Sequence, residues 1–308
     1  MMIDVWAQAC RVADELLIPQ AERVDQLPLL PVSHLEALTN AGLYGRLEPT
    51  SIADLTELLA GACGNTFFVW AQHLGAQRVV RPADGERWGI AFAHLRRPEN
   101  PPLAATATSG GYHLTGQAAW LTGVGLVDAF AIAAVCGPDI VWLRLVASRL
   151  AEEMVVEPLA LAAMAATGTC RVTFDRARFG ADDVLRVEPL AEWLVEDGPY
   201  TARPPYPALG VGRRALTLLA ERDPETANVL ADRLHVARQR SIDEPTHENR
   251  ALAVLEVNRC TQAFIASVAG TAMLLDHPAQ RLHREAAFYL VQAQTTAIRR
   301  ATLIHLRT

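Results

Sequence analysis

The sequence predicts an α+β chain in three parts: a helical domain over residues 1–90, a β barrel or sandwich over 91–197, and a four-helix bundle over 198–308. Three observations point to this order. Apolar residues recur every three or four positions towards both ends of the chain, as one face of a helix requires. Between them lies a stretch of β-branched and small residues with strand-like alternation. A proline-rich run, GPYTARPPYP at 198–207, opposes both helix and sheet pairing and reads as the connector to the last part. At 308 residues the chain has room for about two domains and a sizeable core.

In residues 2–24 the stripe is Ile3, Trp6, Cys10, Ala13, Leu17, Ala21 and Val24, with a kink or split expected at Pro19. Ser33 and Glu36 have the spacing of a capping box, predicting a short helix that ends near Gly42. Ser51 offers a second cap, and Gly61 and Gly64 are expected to separate that helix from the one carrying Phe67, Trp70 and Leu74. From Trp88 onward strands are predicted over 112–115, 129–135, 140–146, 154–157 and 170–174. The helices of the last part are expected over 208–221, 224–240, 248–275 and 278–306. The final one is read as a single helix with Leu282, Ala286, Tyr289, Ala293, Ala297 and Ile304 on its buried stripe.

Composition excludes several chemistries. All 28 basic residues are Arg, so Schiff-base catalysis, a pyridoxal phosphate anchor and a P-loop lysine are ruled out. A net charge of −6 without a basic stripe argues against nucleic-acid binding. Cys10, Cys63, Cys136, Cys170 and Cys260 are scattered and odd in number, which predicts buried thiols in a reducing cytoplasm, neither disulfides nor a zinc knuckle. His247, His277 and His283 lack metal-site spacing, and no metal is expected. Asp4 and Trp6 interrupt the start, which lacks a basic region followed by an apolar core, so secretion is not expected. The uncharged run 58–77 holds Asn65, Thr66, Gln72 and His73, and reads as a buried core helix in place of a membrane span. His73 is also a candidate base.

One string is more specific. YHLTGQAAWLTG, residues 112–123, resembles the second strand region of the acyl-CoA dehydrogenase superfamily, close to Y-x-L-N-G-x-K-x-W-I-T. Tyr112, Leu114, Gly116, Trp120 and Thr122 match without a gap, while Thr115 and Ala118 stand for the family's Asn and Lys. LTNAGLYG at 38–45, MAATGTCRVTFDRARFGADDVL at 164–185 and PAQRLHREAAFY at 278–289 resemble three further segments of that family in the expected order, with Glu285 in place of an Asp.

The resemblance implies an acyl-CoA dehydrogenase-like fold, an FAD cofactor and a small-molecule substrate such as an acyl-CoA. It also implies a homodimer or homotetramer, or a heteromer with a paralogue. It places the flavin ring against Trp120, a hydrogen bond near the reactive nitrogen at Thr122, close backbone at Gly123, and FAD or CoA phosphates near Arg281 and Arg284 across a subunit boundary. On a regular strand Trp120 and Thr122, two apart, would share one side.

The position of the family's catalytic Glu falls on Ala293, and the alternative early-bundle position falls near Arg213 and Arg214. The region where related flavin monooxygenases tend to carry a His holds Gln292 and Gln294. The T-E-P…G-S-D stretch of the family is not reproduced in residues 91–102. The expected function is therefore FAD-dependent CH–CH oxidation of an acyl thioester or similar substrate, with the usual Glu replaced. The alternatives are a flavin-dependent monooxygenase and a non-catalytic partner subunit.

Overall fold

The computed structural model describes residues 4–96 and 103–307; Ile3 and residues 97–102 of the 91–102 stretch lie outside the described residues. The first helix runs as α1 (Val5–Val12), a π-turn (Ala13–Leu17) and α2 (Ile18–Asp25). Pro19 has no N–H and its ring would crowd the carbonyl four residues back. The chain bends through the π-turn, where Ile18 N–H reaches the carbonyl of Ala13, so the expected break becomes a widened turn.

Next come α3 (Val32–Asn40), α4 (Pro49–Ala62) and α5 (Gly64–Ala76). The predicted caps are not used: α3 starts one residue ahead of Ser33 and α4 two ahead of Ser51, because Pro31 in one case and Pro49 in the other already supply a helix-compatible φ. The run 58–77 is thus two helices, joined at an extended Cys63.

The strands are β1 (Trp88–Ala91), β2 (Leu103–Thr108), β3 (Gly111–Leu121), β4 (Ala129–Cys136), β5 (Asp139–Val146), β6 (Val155–Pro158), β7 (Cys170–Gly180) and β8 (Val184–Pro189), with a short α6 (Ala147–Glu153) after β5. They form one sheet in the order β6-β7-β3-β2-β4-β5-β8, with β1 pairing parallel to β4. Strand β4 is apolar on both faces. Phe130, Ile132 and Ala134 join the main core beneath the N-terminal helices, while Ala129, Ala131 and Ala133 join a second cluster around Trp88, Trp142 and Trp193.

The expected connector is mostly helical. Helix α7 (Leu190–Thr201) passes through Pro199 and α8 (Tyr206–Ala220) begins with Pro207 in its first turn, where no N–H is needed, leaving only residues 202–205 between them. The bundle is α8 with α9 (Pro224–Asp243), α10 (His247–Val268) and α11 (Pro278–Tyr289). The last predicted helix is two: α11 ends at Tyr289 and α12 (Thr296–His305) starts afresh with Thr295 as its cap. Ala293 therefore lies in the intervening turn at φ +53°, not on a buried stripe, and Ala297 and Ile304 are exposed.

N- and C-terminal helices share an interface because two glycines face each other. An added Cβ on Gly61 of α4 would lie 2.7 Å from the Gly210 carbonyl oxygen, and one on Gly210 of α8 would lie 2.0 Å from that of Glu57. The backbones touch, and no side chain fits between them. Gly210→Ala is expected to lower stability by about 1–3 kcal/mol in a urea melt, since the helices must separate to admit the methyl group; an unchanged midpoint would contradict the close contact.

Candidate functional site

Strand β3 pairs with β7 as Ala118 with Val172 and Leu121 with Cys170, three steps against two. One extra residue on β3, at Ala119 and Trp120, makes a β-bulge. Without it Trp120 would follow Ala118 into the core by the two-residue repeat. With it Leu121 takes the inner position and the Trp120 side chain turns outward, where the residue is 60% exposed. Thr122, just past the strand, is 4% exposed. Although the two flank inward Leu121, their surroundings differ: Trp120 is exposed, whereas Thr122, past the end of the strand, is buried against Thr169.

The Thr122 hydroxyl sits in a short chain of hydroxyls. Thr167 Oγ1 donates to the Met164 carbonyl at 2.7 Å, so it accepts at its 2.7 Å contact with Thr169 Oγ1. Thr169, its proton spent, must accept from Thr122 at 2.9 Å. The single proton of Thr122 points inward, and its free lone pairs can only accept a further bond. Gly123 N–H and Val124 N–H donate to Thr167 and Gly168 carbonyls, both at 3.0 Å, closing the end of β3 onto residues 167–168. Gly123 at φ +101° and Gly168 at φ +59° make that crossing feasible; a Cβ on Gly168 would stand 2.3 Å from the Val124 carbonyl oxygen.

Asn65, at the start of α5, accepts from the Ala166 N–H at 2.9 Å and so anchors the same loop to the helices; its Nδ2 has no partner among the described residues. Thr167, Thr169 and Asn65 escaped the sequence reading. The Thr-Gly-Thr triplet was visible, but only the fold brings it under Thr122.

Arg281 and Arg284 do not project from the surface towards a ligand. Arg281 is 2% exposed; its Nε donates to Glu22 at 3.1 Å and its Nη1 to both Glu285 oxygens at 3.0 Å. Burial opposes its charge, but Glu285 and Glu22 outweigh that and hold the guanidinium protonated. Arg284 donates to the Ala162 carbonyl at 2.9 Å and pairs with buried Asp25. Both arginines thus clasp α11 to α2, and Arg284 also to the loop ahead of β7; within the described residues they face carboxylates and a carbonyl of the same chain, with Arg284 Nε left without a partner. Arg213 is likewise paired, 2.6 Å from Glu57 of α4.

His73 is a core histidine. Its Nδ1 accepts from the Trp88 N–H at 3.3 Å and its Nε2 lies 3.0 Å from the Tyr44 carbonyl, which defines a neutral ring protonated at Nε2. Burial lowers its pKa to about 4 against the opposing pull of the Tyr44 carbonyl. Among the described residues no group of three or more His, Cys, Asp or Glu could hold a metal, and no helix is long and apolar enough to cross a membrane.

No protein-family model and no curated protein matches the sequence. Solved structures do match over nearly the whole chain. Glutaryl-coenzyme A dehydrogenase in a glutaryl-CoA complex aligns with TM-score 0.79 at 10% identity, over 99% of this chain and 95% of that one. Butyryl-CoA dehydrogenase from Megasphaera elsdenii gives 0.71 at 14%, over 100% and 99%. XiaF from Streptomyces sp., in complex with FADH2 and glycerol, gives 0.74 at 16%, over 97% and 93%.

The chain has the acyl-CoA dehydrogenase fold.

Within the acyl-CoA dehydrogenase fold, as this chain builds it, the residues singled out by resemblance divide in two. Trp120, Thr122 and Gly123 cluster at the end of β3. Ala293 lies far along the chain, in the α11–α12 turn beside Gln292, which accepts from Arg250 at 3.2 Å.

Proposed function

We propose that the chain is an FAD-dependent oxidoreductase with the flavin held at Trp120, Thr122 and Gly123. The observation that carries this reading is the bulge that turns a large aromatic side chain outward beside a buried hydroxyl. A flavin ring needs a flat apolar wall and a polar partner at its edge. The outward indole fits the first need and the Thr122 oxygen the second, as an acceptor. Bound FAD would supply hydride acceptance when oxidised and a route to oxygen when reduced. The substrate class by this reading is an acyl thioester or a related small molecule.

The chain's own residues narrow the chemistry. At the expected place of the general base, Ala293 offers only a methyl group, which takes no proton. Neutral His73 is buried and bonded to backbone, so it supplies no base either. Thr122, with its proton committed to Thr169, favours a ring that donates at that point, as a reduced flavin does and an oxidised one does not. That observation supports the second reading, a monooxygenase acting through reduced flavin. Exposed Leu303, Ile304 and Leu306 on and just after α12, with Val291 before it, support a homodimer or homotetramer, since apolar side chains gathered on one helix favour burial against a second copy.

Titration of the purified chain with FAD and with FADH2 tests the assignment, with Trp fluorescence as readout. Trp120→Ala and Thr122→Ala are each expected to weaken flavin binding by about tenfold to a hundredfold. Unaltered retention in both variants refutes the site, and colourless protein that binds neither redox form favours the non-catalytic partner subunit.

A further inference from the structure

A second feature is independent of the flavin assignment. Arg250, in the first turn of α10, is 8% exposed, yet it makes no ion pair among the described residues. Its Nη1 donates to the Arg203 carbonyl at 3.1 Å and its Nη2 to Gln292 Oε1 at 3.2 Å. Both acceptors are neutral: they orient the guanidinium and leave its charge uncompensated, a costly arrangement for a buried cation. Burial, reinforced by the nearby Arg96, lowers its pKa to about 10, with Tyr200 pulling the other way.

The contrast with the other buried arginines is informative. Arg281 has Glu22 and Glu285, and Arg96 has a two-point bond to Asp197 at 2.6 and 3.1 Å. Around Arg250 the charge is not balanced. Arg78 and Arg203 stack on the Tyr200 ring at 4.1 and 4.4 Å from its centroid, and neither forms an ion pair among the described residues. Arg96, whose charge acts on Arg250, already occupies the carboxylate of Asp197, and the exposed Arg78 and Arg203 meet at Tyr200. The start of α10 adds its own positive end in the same place. Of the five N–H donors of Arg250, two are used, so three are left for a ligand.

We propose that Arg250, braced by the Arg203 carbonyl and by Gln292, is the centre of an oxyanion-binding site that takes a carboxylate or phosphate group of a small-molecule ligand. A planar fork matches either group with paired hydrogen bonds. Gln292 is the immediate neighbour of Ala293, so an anion anchored here sits against the turn where the resemblance had placed an acidic residue. At this turn the buried charge is positive.

The test uses the full chain in flavin-free buffer of low ionic strength, so that its outcome does not depend on the flavin site. Inorganic phosphate and the dicarboxylate glutarate are titrated separately, by calorimetry and by thermal melt. At least one is expected to bind with one-to-one stoichiometry and to raise the melting temperature, the tighter arm naming the group the site was built for. Arg250→Gln is expected to weaken that binding by about tenfold or more. Ligand-free Arg250→Gln is expected to melt no lower than the wild type, because it removes an uncompensated buried charge. Arg250→Lys, which keeps the charge without the fork, is the second variant and is expected to bind with intermediate affinity. No response to either anion, or an equal response in wild type and both variants, overturns the proposal.

Discussion

Arg281→Met is expected to cost about 3–5 kcal/mol of stability, read as a lower urea midpoint with an unchanged slope. Arg281 is buried where α2 meets α11, and its guanidinium balances Glu22 and Glu285, the latter buried completely. Methionine replaces the stem but strands the carboxylate of Glu285 in a place water does not reach and leaves half-buried Glu22 beside it. Glu285 is the more exposed to this penalty, since burial already pushes its carboxyl upward and only the bonds from Arg281 oppose that push. The double variant Arg281→Met, Glu285→Leu removes the partner as well and is expected to recover most of the loss, because an apolar pair of similar volume often replaces a buried ion pair at little cost. A single-variant loss below about 1 kcal/mol, the range of exposed pairs, would show that solvent reaches the cluster and that its burial has been misjudged.

Acid is expected to destabilise the fold steeply between pH 6.5 and about 4, well before carboxylates dominate. His73 has a pKa near 6.5 in an unfolded chain and about 4 in the fold, chiefly because burial disfavours the imidazolium. Below pH 6.5 the unfolded chain takes up a proton that the folded chain refuses, so stability present in full above that pH is lost as pH falls. The loss approaches about 1.4 kcal/mol per pH unit and about 3 kcal/mol across the window. Burial also lowers the pKa of His34 and His94, which add loss of the same sign. Urea melts at pH 7.5 and 4.5 check this. His73→Gln is expected to start from a lower plateau, having lost the bond from the Trp88 N–H, and to show a flatter profile. Equal wild-type stability at the two pH values would sink the account of His73 as a buried neutral group.

Helix and strand placement was legible where a single period dominates. The stripe through Ala13, Leu17 and Ala21, the strands at 129–135 and 140–146, and the start of α9 at Pro224 all follow from local signals. The errors cluster at prolines. Pro19, Pro31, Pro49, Pro199 and Pro207 read as breaks or as cues displaced by neighbouring Ser, yet each is accommodated by a π-turn, a helix start or a last turn. The missing N–H of proline matters only when the position needs a donor, and that depends on what precedes it in three dimensions. The split between α11 and α12 was hidden for a similar reason. The apolar stripe continues in register past Tyr289, but Ala293 adopts a left-handed conformation and the chain restarts at the Thr295 cap.

The candidate site divides along the same line. Trp120, Thr122 and Gly123 were identifiable because they lie within four residues, inside one motif. Their unequal exposure was not, because the bulge that turns Trp120 outward is set by the register of β7, about fifty positions downstream, and Thr122 is buried against Thr169 at the same distance along the chain. Arg281 and Arg284 were visible as charges, whereas their partners Glu22 and Asp25 lie 259 positions away on the first helices. By itself the order of amino acids determined the fold class, the exclusion of lysine chemistry and the existence of an aromatic-hydroxyl pair, since these depend on residue type and near-neighbour spacing. Only the tertiary structure decided which polar groups are already satisfied, which way the Thr122 proton points, and that Arg250 is a buried cation without a counter-charge among the described residues. Those are properties of distance and solvent exclusion, and electrostatic energy depends on both far more steeply than on position along the chain.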